Sequence, residues 1–245
     1  MLNRIRRAFD IAFEDDYVII LNKKVKLLVQ PASNERYTLT SVLNEYLKEK
    51  GEVAHPCHRL DRETTGLVLF AKNKKVLKVL MREFQVTRVK KKYIALIKGT
   101  LKKKKGKLVS FIIDKSGARF GEKPKRAETL YRVRKEYQGF SMIELIPLTG
   151  RTHQLRIQLA QMGNPILGET KYALRRDFSS LDKELKTSPQ GSAFVKKVNF
   201  KRLALHACFL SVIHPVSKER IEVGIDLPQD MEQFIAEREV TSIRE

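Results

Sequence analysis

HRLDRETTGLVLFAKN, residues 58–73, runs a charged loop straight into an apolar run, and the rest of the chain can be read outward from that junction. Gly66-Leu-Val-Leu-Phe-Ala71 has strand length and no polar alternation, so it reads as a buried strand. Lys74 to Phe84 follows, with Val76, Leu77, Leu80, Met81 and Phe84 apolar at a 3.6 period, the clearest amphipathic helix in the chain. Upstream, Tyr17-Val-Ile-Ile-Leu21 is a β-branched strand run behind Glu14-Asp15-Asp16, and Leu27-Leu-Val29 reads as a second short strand closed by Pro31. Thr40 to Lys50 has a helical apolar period with Gly51 past its end. Downstream, Tyr93–Gly99, Leu130–Glu136, Phe140–Leu148, Leu203–His214 and Arg220–Ile225 read as strands. Thr152–Met162 reads as a helix carrying Leu155, Leu159 and Met162. This irregular interleaving predicts a mixed sheet flanked by helices rather than a doubly wound parallel sheet.

Charge supplies the first functional clue. Lys and Arg number 49 against 28 acids, a formal net charge of +21. Such a field favours a polyanion, RNA or DNA before an anionic membrane surface, and the basic residues recur along the whole chain rather than forming one tail. No run approaches the length of a membrane span, and Met1-Leu-Asn-Arg-Ile-Arg-Arg7 lacks the apolar stretch of a signal peptide. Cys57 and Cys208, far apart, make no disulfide framework, which fits a reducing cytoplasm.

Three segments gather polar residues beside apolar strands. In His58-Arg59-Leu60-Asp61-Arg62-Glu63, Asp61 sits between two arginines that would hold a carboxylate ionised as a nucleophile or base; a loop salt bridge or an Asx turn is the plainer alternative. In Thr149-Gly150-Arg151-Thr152-His153-Gln154-Leu155-Arg156, Arg151 lies near a helix start and suits a phosphate or carboxylate, unless the segment is only a solvated helix face. Lys90-Lys91-Lys92-Tyr93 sets a ring after a cationic run, suited to base stacking beside phosphates or to simple strand packing. His55-Pro-Cys57-His58 has no second cluster to complete a metal site, so no metal is expected, and no Walker loop, GxGxxG or GxSxG is present.

With these residues in view, HRLDRETTGLVLFAKN (58–73) resembles the signature of the RluA-type pseudouridine synthases. GRTHQLRIQLAQMGNPILGETKY (150–172), LALHACFLSVIHP (203–215) and EDDYVIILNK (14–23) resemble its other motifs. The resemblance implies an RNA isomerase without metal or cofactor, and a largely antiparallel α+β sheet in two halves with the active cleft between them. It assigns Asp61 to the aspartate that attacks or deprotonates the ribose of the target uridine. Tyr93 matches the tyrosine that stacks on the base and helps remove the C5 proton, and Arg156 the arginine that pairs with the aspartate. Arg59 matches the residue that fills the gap left by the flipped nucleotide; Arg62, Lys92, Arg151 and His153 complete the expected RNA contacts.

Two departures stand out. The family's Asn-Lys-Pro-Ala-Gly turn reads Asn22-Lys23-Lys24-Val25-Lys26, and Gln158 replaces a common histidine. The expected layout is a basic extension at 1–8, a catalytic domain at 9–228 with a mobile insertion at 175–199, and a tail at 229–245. The chain begins almost at its first strand, leaving no room for an N-terminal S4 domain, so the basic surface is expected to bind RNA, as a monomer in the cytoplasm. The rival functions are a nucleic-acid glycosylase and a non-catalytic RNA-binding module. One lone carboxylate with an arginine suits base isomerisation better than the two carboxylates of ordinary glycoside hydrolysis.

Overall fold

The structure is a computed structural model and describes residues 5, 7–24, 26–31, 35–113, 123–172 and 198–241. Most of the segment expected to be a mobile insertion, 175–199, lies outside them. So do most of residues 1–8. The chain divides into two compact units, residues 1–91 with 206–226, and residues 92–205 with 227–245.

The first unit is built on β2 (Val18–Lys23) and β4 (Thr65–Ala71), paired antiparallel from Val18↔Ala71 to Lys23↔Gly66. β1 (Phe9–Glu14) lies beside β2, and the two-residue β3 (His55–Pro56) beside β4. β9 (Leu205–Ile213) runs parallel to β4 and pairs antiparallel with β10 (Arg220–Gly224). Every residue of β4 is buried, which explains its lack of alternation. One face, Val18, Ile20, Leu67 and Leu69, packs with Val76 and Leu80 of α2 (Lys74–Gln85). That helix starts where Asn73 accepts a hydrogen bond from the Val76 amide at 2.9 Å, and turns off at Thr87, whose φ is 56°. α1 (Leu39–Leu47) opens on a reciprocal Thr38–Ser41 capping box and ends in a 3-10 turn, Lys48–Lys50.

The second unit holds β5 (Lys90–Lys98, its first two residues in the first unit), β8 (Phe140–Pro147), β7 (Lys125–Tyr137) and β6 (Lys105–Ile112), antiparallel in that order. α3 (Gln154–Gln161) lies on the β6–β7 ladder. Its buried face is partly polar. Gln158 accepts from the Thr129 hydroxyl and donates to the carbonyls of Ala127 and Leu108, while Gln154 donates to the Glu128 carbonyl. α4 (Gln229–Thr241) buries Met231 and Phe234, the latter edge-on to Phe140 at 5.4 Å and Phe200 at 5.1 Å. With one parallel pair among antiparallel ones, the described elements make the expected mixed, largely antiparallel α+β fold.

Five elements differ from the sequence expectation. Leu27–Val29 is not a strand: the carbonyls of Leu28 and Val29 accept the first amides of α1, from Leu39 and Thr40, instead of joining a ladder. The region 229–241, expected as a tail, is helix α4. β1, β3 and β6 are not among the expected strands. β6 buries only Leu108, Ser110 and Ile112, and the exposed positions between them are the apolar Val109 and Phe111, so no apolar–polar alternation marks it.

Candidate active site

In the first unit the 57–64 loop connects β3 to β4. Leu60 is buried between an exposed Arg59 and a half-buried Asp61, the alternation of an extended segment, and the Thr64 amide closes a turn on the Asp61 carbonyl at 3.2 Å. Behind the loop lies Lys23, a fully buried lysine. Its ammonium donates to the carbonyls of Arg62 and Lys24, both at 3.1 Å. Burying an ammonium costs free energy that such hydrogen bonds offset, so Lys23 fixes the backbone next to Asp61. Sequence reasoning noted Lys23 only as part of a divergent turn; a lysine at the end of a buried apolar strand was the available signal. Arg62 is ion-paired to Glu35 at the surface.

At the other end of the loop, Gly66 is a requirement of close approach. Its φ is +111°, and a β-carbon there would sit 2.3 Å from the Ala207 carbonyl oxygen, where β4 meets β9. Beside it Thr65 shares a 2.8 Å hydrogen bond with His206. His58 points away from metal chemistry. Its Nε2 accepts the Leu69 amide at 3.0 Å, and its ring lies against Phe84 at 5.0 Å. Burial, then the charge of Lys91, pushes its pKa down to about 3, so the ring is neutral at pH 7. Burial also pushes the Cys57 thiol up to about 12. Among the described residues no group of three or more His, Cys, Asp or Glu side chains is placed to hold a metal ion.

In the second unit Tyr93 is 8 % exposed on β5, opposite Leu145 of β8, and the half-buried Lys92 points to the other face of the strand. The 150–156 segment is set by His153, whose left-handed backbone (φ 55°, ψ 23°) delays the helix start to Gln154. Arg151 is anchored by its amide on Gln154 Oε1 and its Nε on the Arg126 carbonyl. His153 Nδ1 shares a 2.6 Å hydrogen bond with the Tyr172 hydroxyl.

Arg156 is held by a residue that sequence reasoning passed over. Its Nε and Nη2 donate to the two carboxylate oxygens of Glu169 at 2.7 and 2.9 Å, and its guanidinium lies 5.3 Å from the Tyr172 ring. Burial pushes the Glu169 carboxyl up, but the Arg156 hydrogen bond and charge, with the Lys171 and Tyr172 amides, hold it below its ordinary value. The signal for Glu169 was present, a lone acid in a basic segment, but periodicity has no means of weighting it. Asp61, Arg59 and Arg62 thus belong to the first unit; Lys92, Tyr93, Arg151, His153 and Arg156 belong to the second.

Comparison with known proteins gives this arrangement a class. The model of the RNA pseudouridylate synthase family matches residues 17–161. The chain belongs to that family of RNA-modifying enzymes. Within it the chain is of the RluA type, as the motifs led one to expect. Ribosomal large subunit pseudouridine synthase D of Haemophilus influenzae is 32% identical over 238 residues, covering 92% of this chain and 69% of that protein. tRNA pseudouridine synthase C of the same organism is 28% identical over 242 residues, covering 92% and 96%. The solved structure of human RNA pseudouridylate synthase domain containing 4 superposes with a TM-score of 0.71 at 25% identity, covering 96% of this chain and 94% of that one.

Proposed function

We propose that the chain converts uridine to pseudouridine in structured rRNA or tRNA, with Asp61 as the nucleophile or base. The observation that carries this reading is that the family match, residues 17–161, takes in Asp61, Tyr93 and Arg156 together. Relatives named for ribosomal RNA and for tRNA modification both align over most of the chain, so both substrates fall within the proposal.

The chemistry is a balanced isomerisation. The bond between N1 and C1′ breaks, the uracil turns, and a bond forms between C5 and C1′; C5 loses a proton and N1 gains one. Asp61 attacks or deprotonates the ribose. Tyr93 stacks on the base and assists removal of the C5 proton, and Arg156 fixes the position and charge state of the aspartate. A base inside folded RNA is extruded first, at a cost of a few kcal/mol, and Arg59 fills the space it leaves. Arg62, Lys92, Arg151 and His153 contact the RNA, with Arg62 exchanging its surface partner Glu35 for phosphate. The chain acts as a monomer in the cytoplasm, with α4 part of the acting fold. Among the described residues no helix is long and apolar enough to cross a membrane.

Mapping pseudouridines by carbodiimide derivatisation in RNA from cells with and without the gene tests the reading. Loss of one or more sites in rRNA or tRNA is the expected result. Identical maps would overturn it and favour a binding module on the same fold.

A further inference from the structure

We propose that Glu169 is the positioning residue that holds Arg156 in its working orientation, an inference that rests on the reading of Arg156 given above. An arginine side chain has many rotamers, and one that must present charge at a fixed point needs part of its fork immobilised. Glu169 does this with both oxygens, engaging the Nε and Nη2 edge of the guanidinium.

The carboxylate is itself fixed from three directions. Its Oε1 accepts from the backbone amides of Lys171 at 2.7 Å and Tyr172 at 3.2 Å. The turn that delivers it depends on Gly168, with φ +77°, where a β-carbon would lie 1.8 Å from the Arg202 carbonyl oxygen. Arg202 is in turn clamped bidentately by Asp230 of α4 at 2.6 and 2.7 Å. On the far side, Tyr172 closes the set: its ring faces the Arg156 guanidinium and its hydroxyl bonds His153, one residue before α3.

Burial is unequal across the pair. The Glu169 side chain is 0 % exposed while that of Arg156 keeps 12 %. Here the acid is sealed behind the arginine, and the arginine keeps the accessible side.

Glu169→Gln keeps the shape and removes the charge, and Glu169→Asp keeps the charge and draws it back by one methylene. Each is compared with wild type and Arg156→Met by single-turnover pseudouridine formation at saturating enzyme, RNA affinity and melting temperature. Both variants should lose rate on the order of 10²-fold, the cost of an ångström-scale misplacement, with RNA affinity within about threefold of wild type. Added to Arg156→Met, Glu169→Gln should cost no further rate, because the group it positions is already gone. Wild-type rate in either folded variant, or losses that multiply in the double variant, would overturn the role. If Glu169→Gln does not fold, Glu169→Asp decides on the same rate and affinity criteria. An inactive wild type would overturn the parent reading and this inference with it, whereas an active wild type with unaffected variants overturns this inference alone.

Discussion

The loop around Asp61 and the segment around Arg156 place arginines in opposite ways. In the first, Arg59 and Arg62 face solvent, and the loop is held from behind through its backbone by the buried Lys23 ammonium. In the second, Arg156 is held directly by side chains, in a bidentate pair with a sealed carboxylate and against an aromatic ring. Exposed arginines keep their charge available and their geometry loose, which suits a polyanion that brings its own structure. A clamped arginine gives up that freedom for a fixed position. On the proposed function, the exposed arginines meet the RNA and the clamped arginine serves the chemistry.

That division can be broken by mutation, beginning where the effect is largest. Asp61→Asn should lower single-turnover pseudouridine formation by at least ~10³-fold while RNA affinity stays within a few-fold, because the change removes a reacting group and leaves the cationic surface intact. Substantial residual turnover in the purified variant would take Asp61 out of its role. Arg156→Met should cost about 10²-fold in rate, and the loss should be the same on a structured stem-loop and on a short unstructured oligomer, since a positioning defect is independent of substrate fold. A loss confined to one RNA would move Arg156 from the clamped class to the substrate-meeting class.

Arg59→Ala should show the reverse pattern. If its guanidinium enters the stack as the base swings out, the stem-loop reaction should slow by about tenfold and the oligomer hardly at all, since the oligomer's base is already free. Equal losses on both RNAs would make Arg59 a phosphate contact instead.

A smaller effect concerns stability rather than rate, and sharpens the description of the Asp61 loop. His58 has an ordinary value of 6.5 and is pushed down to about 3 in the folded chain, first by burial and then by Lys91. The unfolded chain therefore binds a proton below pH 6.5 that the folded chain refuses. His58 contributes no pH dependence above 6.5, and stability falls by up to one proton's slope as pH drops from 6.5 toward 3. Denaturant unfolding at pH 7.5, 6 and 5 should show this decline in wild type and a flatter response in His58→Gln. Parallel curves would show that the imidazole is not sealed.

The sequence was legible where burial follows a simple period. The run at 66–71 and the apolar face of 74–84 were plain because β4 is buried on both faces and α2 is covered on one. It was obscure where polar side chains face inward. α3 turns Gln154 and Gln158 to the sheet, at 4 % and 2 % exposure, because each meets carbonyl and hydroxyl partners there, and no hydrophobic pattern announces such a face. The charged motif at 58–63 stood out because two arginines flank one carboxylate. Lys23 and Glu169 did not, since each acts on a group far away in sequence: the Arg62 carbonyl 39 residues on, and the Arg156 guanidinium 13 residues back.

One reaction shows most directly whether this chain isomerises uridine within RNA. Purified protein is incubated with rRNA and tRNA from cells lacking it, and the RNA is then digested and separated by liquid chromatography with mass detection, while the supernatant is assayed for free uracil. Pseudouridine should appear with no change in RNA mass and no uracil released. Uracil release, or tight RNA binding with no pseudouridine formed, would contradict it.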